Sequence, residues 1–179
     1  TDGAAFRKLA IGQFTVIALG DGAIQLPASI LHDVSREDLL ARLKQPAGTT
    51  NLALPTANNA FLVDTGARVV LIDAGAGNLM GPALGHLRRS LAAAGYAPDR
   101  ISDILITHLH GDHIGGLVTT NGTPAFPKAT VHVAKAESDW WLSEEVAARM
   151  PADLRSYFRL IRETTAPLRA AGLWKTFAD

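Results

Sequence analysis

Apolar residues in this chain fall in short runs of two periods, which divide it into strands and helices. Residues 14–19 (FTVIAL) and 23–26 are β-prone. Gly20-Asp21-Gly22 between them carries a turn signal, so a hairpin is predicted there. Ser35 suits an N-cap and Asp38 the third position of a short helix reaching about Lys44. Residues 46–55 start and end on proline and read as loop. Two further runs, 59–64 and 68–73, flank Thr65-Gly66-Ala67 as a second hairpin. Its second arm, Val69-Val70-Leu71-Ile72, is apolar on both faces and predicts a central strand. A helix is expected from about Pro82, with Leu84, Leu87, Leu91 and Ala94 on one face and Gly95 just past its end. Residues 101–106 read as a buried strand ending at Thr107-His108, and 130–133 as another. Helices are expected from about Ala134, carrying Trp140-Trp141, and from about Ala152 to Thr164. Strands alternating with helices predict an α/β layered domain.

Composition narrows the function without naming it. The chain has 179 residues, 47% of them apolar and 19% charged, enough for one globular domain with a core. Lys+Arg and Asp+Glu both number 17, so no electrostatic excess points to nucleic acid or to an anionic membrane. No apolar run approaches the roughly 18–20 residues that span a bilayer. The absence of cysteine excludes disulfides, thiolate metal sites and a Cys nucleophile. Ser90 and Ser102 lie in no nucleophile-elbow pattern.

The chemistry concentrates in His108-Leu109-His110-Gly111-Asp112-His113. His108 and His110 are alternate residues at the end of an extended segment, so their rings can project to one side and grip one divalent metal. Gly111 permits a sharp turn, after which Asp112 and His113 can aim at a second metal nearby. Gly115-Gly116 lets backbone pack closely behind. All four donors are nitrogen or oxygen, which suits Zn²⁺ first and also Mn²⁺, Co²⁺ or Fe. Two such ions would acidify a shared water to hydroxide and polarise a carbonyl or phosphoryl oxygen. Of the six histidines, His32, His86 and His132 lack ligand-spaced neighbours and read as structural. Arg88-Arg89 reads as a solvated helix face.

This run resembles the His-x-His-x-Asp-His signature of the metallo-β-lactamase superfamily. Val70-Leu71-Ile72-Asp73-Ala74-Gly75 resembles the family's earlier strand-Asp-x-Gly motif. The resemblance implies an αβ/βα sandwich of which residues 1–179 are the N-terminal part of a single domain. It places His108 and His110 on a first metal and Asp112 and His113 on a second. Asp112 would also orient the attacking water or carry its proton, and Asp73 would support the metal loop, although a plain strand-end turn is an equal reading. Flanking stretches extend the similarity to the branch of methyl parathion hydrolase, lactonases and arylesterases. They include residues 12–27, 81–85, 93–96, 125–127 and 136–143. In that branch Trp141 matches an aromatic substrate wall, and Met80 stands where an aromatic can face it; core packing is an equal reading for Trp141. The Met80 substitution weighs against specialised organophosphate hydrolysis.

The expected activity is therefore dinuclear metal-dependent hydrolysis of lactones or aryl esters by a metal-bound hydroxide, with promiscuity toward organophosphates. Alternatives within the resemblance are a β-lactamase, an iron-dependent dioxygenase-type member and an inactive fragment. A small-molecule substrate is the expected partner, and a homodimer is compatible. The family also supplies a third His to the first metal, a bridging Asp and a last His from a C-terminal half that this sequence does not contain. A truncated end is thus expected at Gly172 through Phe177, which reads like the entry to a strand just before the chain stops. Thr1-Asp2-Gly3 suggests a trimmed start. Periplasmic, secreted and cytoplasmic placements all stay open.

Overall fold

The computed structural model describes residues 5–178; Thr1-Asp2-Gly3 lie outside them. Its frame is a seven-stranded sheet whose strands lie side by side in chain order. The strands are β1 (Phe6–Ile11), β2 (Phe14–Pro27), β3 (Ala53–Asp64), β4 (Val69–Ile72), β5 (Asp103–Ile106), β6 (Thr130–Ala134) and β7 (Trp174–Phe177). The first four pair antiparallel, and from β4 onward the pairing is parallel. Parallel neighbours need crossovers, and these carry the helices. They are α2 (Leu87–Ala93), α3 (Gly111–Ile114), α4 (Lys135–Leu142), α5 (Glu144–Ala148) and α6 (Ala152–Ala170), while α1 (Arg36–Arg42) lies between β2 and β3.

The predicted hairpin at Gly20-Asp21-Gly22 does not form. β2 runs unbroken through it, and the pairing with β3 shifts there, Gly20 opposite Asn59 and Gly22 opposite Asn58. Asp21 is the extra residue of a β-bulge, a feature that shares its Gly and Asp chemistry with turns. The hairpin turn is instead Gly12-Gln13, joining β1 to β2 with Gly12 at φ 60°. The predicted helix from Pro82 starts only at Leu87, because the amides of Gly85 and Leu87 are taken by the Asp21 carboxylate. β3 reaches back into the expected 46–55 loop, pairing Ala53 with Pro27. α6 continues past Thr164 and through Pro167, since Thr165 and Leu168 are buried against the core. Around Thr65-Gly66-Ala67 the second predicted hairpin forms as expected. Ser35 caps α1, accepting from the Asp38 amide.

One face of the sheet is covered. Ile17, Leu19, Leu62, Leu71, Ile104, Val131 and Val133 pack with Leu87 and Leu91 of α2 and Ile161 and Leu168 of α6 in a single buried cluster. The alternate residues point to the other face, which no described helix covers. There Phe61, Ile72, Leu105 and His132 stand in register, with Phe61 44% and Leu105 41% exposed. The described residues thus form an α/β arrangement with one layer of helices on one mixed sheet.

Candidate metal centre

Strand β5 ends at Ile106, and the chain then turns through 107–110 into the single turn α3. That path gathers the predicted donors. The rings of His108 and His110 lie 4.5 Å apart and those of His108 and His113 4.1 Å apart, centroid to centroid. The Asp112 carboxylate is 3.3 Å from Nε2 of His113. Two glycines make the approach behind the loop possible. A side chain on Gly115 would meet the Ala76 carbonyl oxygen at 2.0 Å, and one on Gly116 the Ala74 carbonyl at 1.9 Å.

Asp73, at the end of β4, holds this loop together. It is buried and adopts a left-handed backbone at φ 61°, a conformation that Asp tolerates better than most residues. Its carboxylate accepts from the Thr107 amide at 2.9 Å, from the Thr107 hydroxyl and from His113 Nδ1 at 2.8 Å. Donation from His113 Nδ1 directs Nε2 toward Asp112. The Thr107 hydroxyl, donating to Asp73, can accept from Nδ1 of His108 at 3.1 Å and so leave that ring's Nε2 outward as well. Asp73 is both a strand-end turn and the support of two imidazoles.

The charges follow this geometry. Hydrogen bonds to Asp112 and then Asp73 raise His113 to about 9, against the desolvation that would lower it. The His113 hydrogen bond in turn holds Asp112 below the usual carboxylate range. Burial, followed by the neighbouring His113 and His110, lowers His108 and favours its neutral, metal-binding form. Among the described residues no group of three or more His, Asp or Glu side chains is arranged to hold a metal ion by itself. The donor chemistry of these four side chains suits a divalent ion, but with no three of them converging the described residues fall short of a closed site.

A family model described as the Metallo-beta-lactamase superfamily matches residues 53–175, from the first residue of β3 into β7. The chain belongs to the metallo-beta-lactamase superfamily.

Solved structures of similar shape agree with that membership. A hydrolase called AbOPH, described as in the beta lactamase superfamily, is 31% identical with a TM-score of 0.89. AidC, described as a dizinc quorum-quenching lactonase in complex with a product, is 24% identical with a TM-score of 0.83. A probable metal-dependent hydrolase from Staphylococcus aureus is 20% identical with a TM-score of 0.69. The matches cover 99%, 99% and 96% of this chain but only 62%, 62% and 61% of those proteins. The chain thus spans about three fifths of their length. No curated protein sequence matches it.

Around the superfamily motif, α4 and α6 add residues that local sequence reading does not single out. Glu137 of α4 accepts from the Leu109 amide at 2.9 Å, and the Tyr157 hydroxyl of α6 accepts from the Gly111 amide at 2.7 Å. Both pin the loop backbone between ligand candidates. Burial raises Tyr157, against the Gly111 hydrogen bond, and keeps the phenol neutral. Trp141 stands edge-on to His110 at 5.7 Å and to Tyr157 at 5.5 Å, and Tyr157 itself lies 5.8 Å from His110. The Trp pair divides: Trp141 also packs on Phe158 at 4.6 Å, while Trp140 faces out and is 48% exposed. Met80 is exposed, and a side chain placed on Gly111 would lie 3.8 Å from its sulfur and 3.7 Å from the Tyr157 hydroxyl. The three remaining histidines stay apart from this group. His132 pairs with Asp103 at 3.0 Å on the open sheet face, His86 precedes α2, and His32 is exposed.

Proposed function

We propose that the chain is the N-terminal part of a dinuclear metal-dependent hydrolase of lactones or aryl esters, with phosphotriesters as promiscuous substrates. The observation that carries this reading is the convergence of three imidazoles and Asp112 at the end of β5, with Asp73 orienting two of the rings. In this proposal His108 and His110 hold one ion, Zn²⁺ first among the candidates, and Asp112 and His113 hold the other. When bound, such a pair supplies an acidified water and an electrophile for the substrate's carbonyl oxygen. Asp112 would orient that water or carry its proton. Trp141 and Tyr157 form an apolar wall beside His110, with Met80 beside Gly111. That lining suits an acyl chain or an aryl group and keeps bulk water from the reacting carbonyl. The lactonase and hydrolase descriptions of similarly shaped proteins support the reading.

The remaining ligands come from a C-terminal half. That half also covers the open face of the sheet, where a second layer would bury Phe61, Ile72 and Leu105. The test is a kinetic panel on the full-length protein, with an acyl-homoserine lactone, an aryl ester, a β-lactam and a phosphotriester, before and after chelation. The proposal expects the lactone or the aryl ester to lead and every activity to fall on metal removal. A leading β-lactam, or oxygen consumption with iron bound, would replace it with another branch of the superfamily.

A further inference from the structure

Asp21 lies in β2, outside the segment matched by the superfamily model, and it is fully buried. The bulge turns its carboxylate inward, where four donors satisfy it. Three are the amides of Ala76 at 2.8 Å and Gly85 at 3.1 Å, in the connection between β4 and α2, and of Leu87 at 2.9 Å, the first residue of α2. The fourth is the side-chain amide of Asn58 on β3, at 3.0 Å. The same Asn58 nitrogen donates to the backbone carbonyl of Asp112 at 2.9 Å. A carboxamide NH₂ has two hydrogens, so one is directed to each acceptor. The reverse orientation would set the Asn58 oxygen against two acceptors, so the buried carboxylate fixes which way the amide points.

We propose that Asn58 is a positioning residue for Asp112, oriented by Asp21. The main chain at the Asp112-His113 step is then held from two directions. Asn58 grips the Asp112 carbonyl, and the Ala74 amide donates to the His113 carbonyl at 2.8 Å. The first of these contacts spans 54 residues of sequence and ties the metal loop to a strand that provides no ligand candidate. Because the grip falls on the backbone of one residue, it fixes the direction of that residue's carboxylate and of the neighbouring imidazole. It does not touch His108 or His110. The inference rests on the reading that Asp112 and His113 bind the second metal.

The experiment is a stepwise Zn²⁺ titration of the full-length protein against a chromophoric chelator, with the melting temperature of the metal-free form measured alongside. Asn58→Leu removes both donors at similar volume, and Asn58→Ser is the milder change should the first variant fail to fold. Ile17→Val, a buried core change on β2, serves as a control for general destabilisation. One of the two Zn²⁺ affinities should fall by about 10–100-fold in the Asn58 variants, the usual range for losing a group that orients a ligand. The other affinity should stay within about threefold, and the control should leave both unchanged. A variant that binds two ions as the wild type does, or weakens both equally, overturns the role of Asn58 alone. A wild-type protein that takes up only one ion overturns the two-metal reading and the inference with it.

Discussion

The two faces of the sheet carry similarly apolar residues and meet different fates. On the helix side Ile104 is fully buried, whereas one residue on, Leu105 is 41% exposed. Across the strands the same alternation sets Leu62 and Leu71 at zero exposure against Phe61 at 44%. A strand that fronts solvent normally alternates apolar with polar residues; this one does not. The chain therefore encodes burial on both sides of β3 to β5, and the metal loop leaves the end of β5 at the rim where two layers would meet.

Substitutions on neighbouring residues break this comparison most strongly. Ile104→Ala should lower the unfolding free energy by about 2–5 kcal/mol in urea titrations of the 179-residue chain and of the full-length protein alike. Leu105→Ala should change the shorter chain by no more than about 0.5 kcal/mol but approach the core value in the longer one. Equal small effects in both proteins would show that nothing packs on the open face. On the loop side, Trp141→Ala should lower kcat/KM for a long-chain lactone by roughly tenfold or more in the full-length protein, as loss of an aromatic contact requires. It should hardly affect a short-chain one, and equal losses on both would make Trp141 a packing residue.

The smallest effect belongs to the Asp103 pair. Burial would raise this carboxyl, but hydrogen bonds from Ser102 and His132, with Arg68 nearby, hold it below its usual value. A carboxylate whose folded pKa is lowered contributes stability above its unfolded pKa, near 3.9, and loses it as pH falls through the folded value. Asp103→Asn should therefore lower Tm at neutral pH, with the difference closing as pH drops below about 4. A gap that stays constant through that window would remove the titration from the account.

What could be read from the sequence divides along the same lines as distance in the chain. His108, His110, Asp112 and His113 were legible because a strand end and one glycine bring them together within a single run. Residue spacing also placed β4, β5, β6, α4 and the Thr65-Gly66-Ala67 hairpin. The bulge at Asp21 was not legible, since Gly-Asp-Gly carries the same local chemistry as a turn and only the pairing with β3 distinguishes them. Glu137, Tyr157 and Asn58 reach the loop across 28, 46 and 54 residues, and no local period reports such contacts. Helix α2 began late for a related reason, because a distant carboxylate had claimed the amides of its expected first turn.

The central claim is that these residues form one half of a two-metal hydrolytic site. Metal analysis of the full-length protein, paired with lactone and aryl-ester turnover on the same samples, tests it most directly. Two divalent ions per chain are expected, fewer in His110→Ala and Asp112→Ala, with turnover that disappears on chelation and returns with Zn²⁺. Undiminished turnover in a metal-free sample would contradict it.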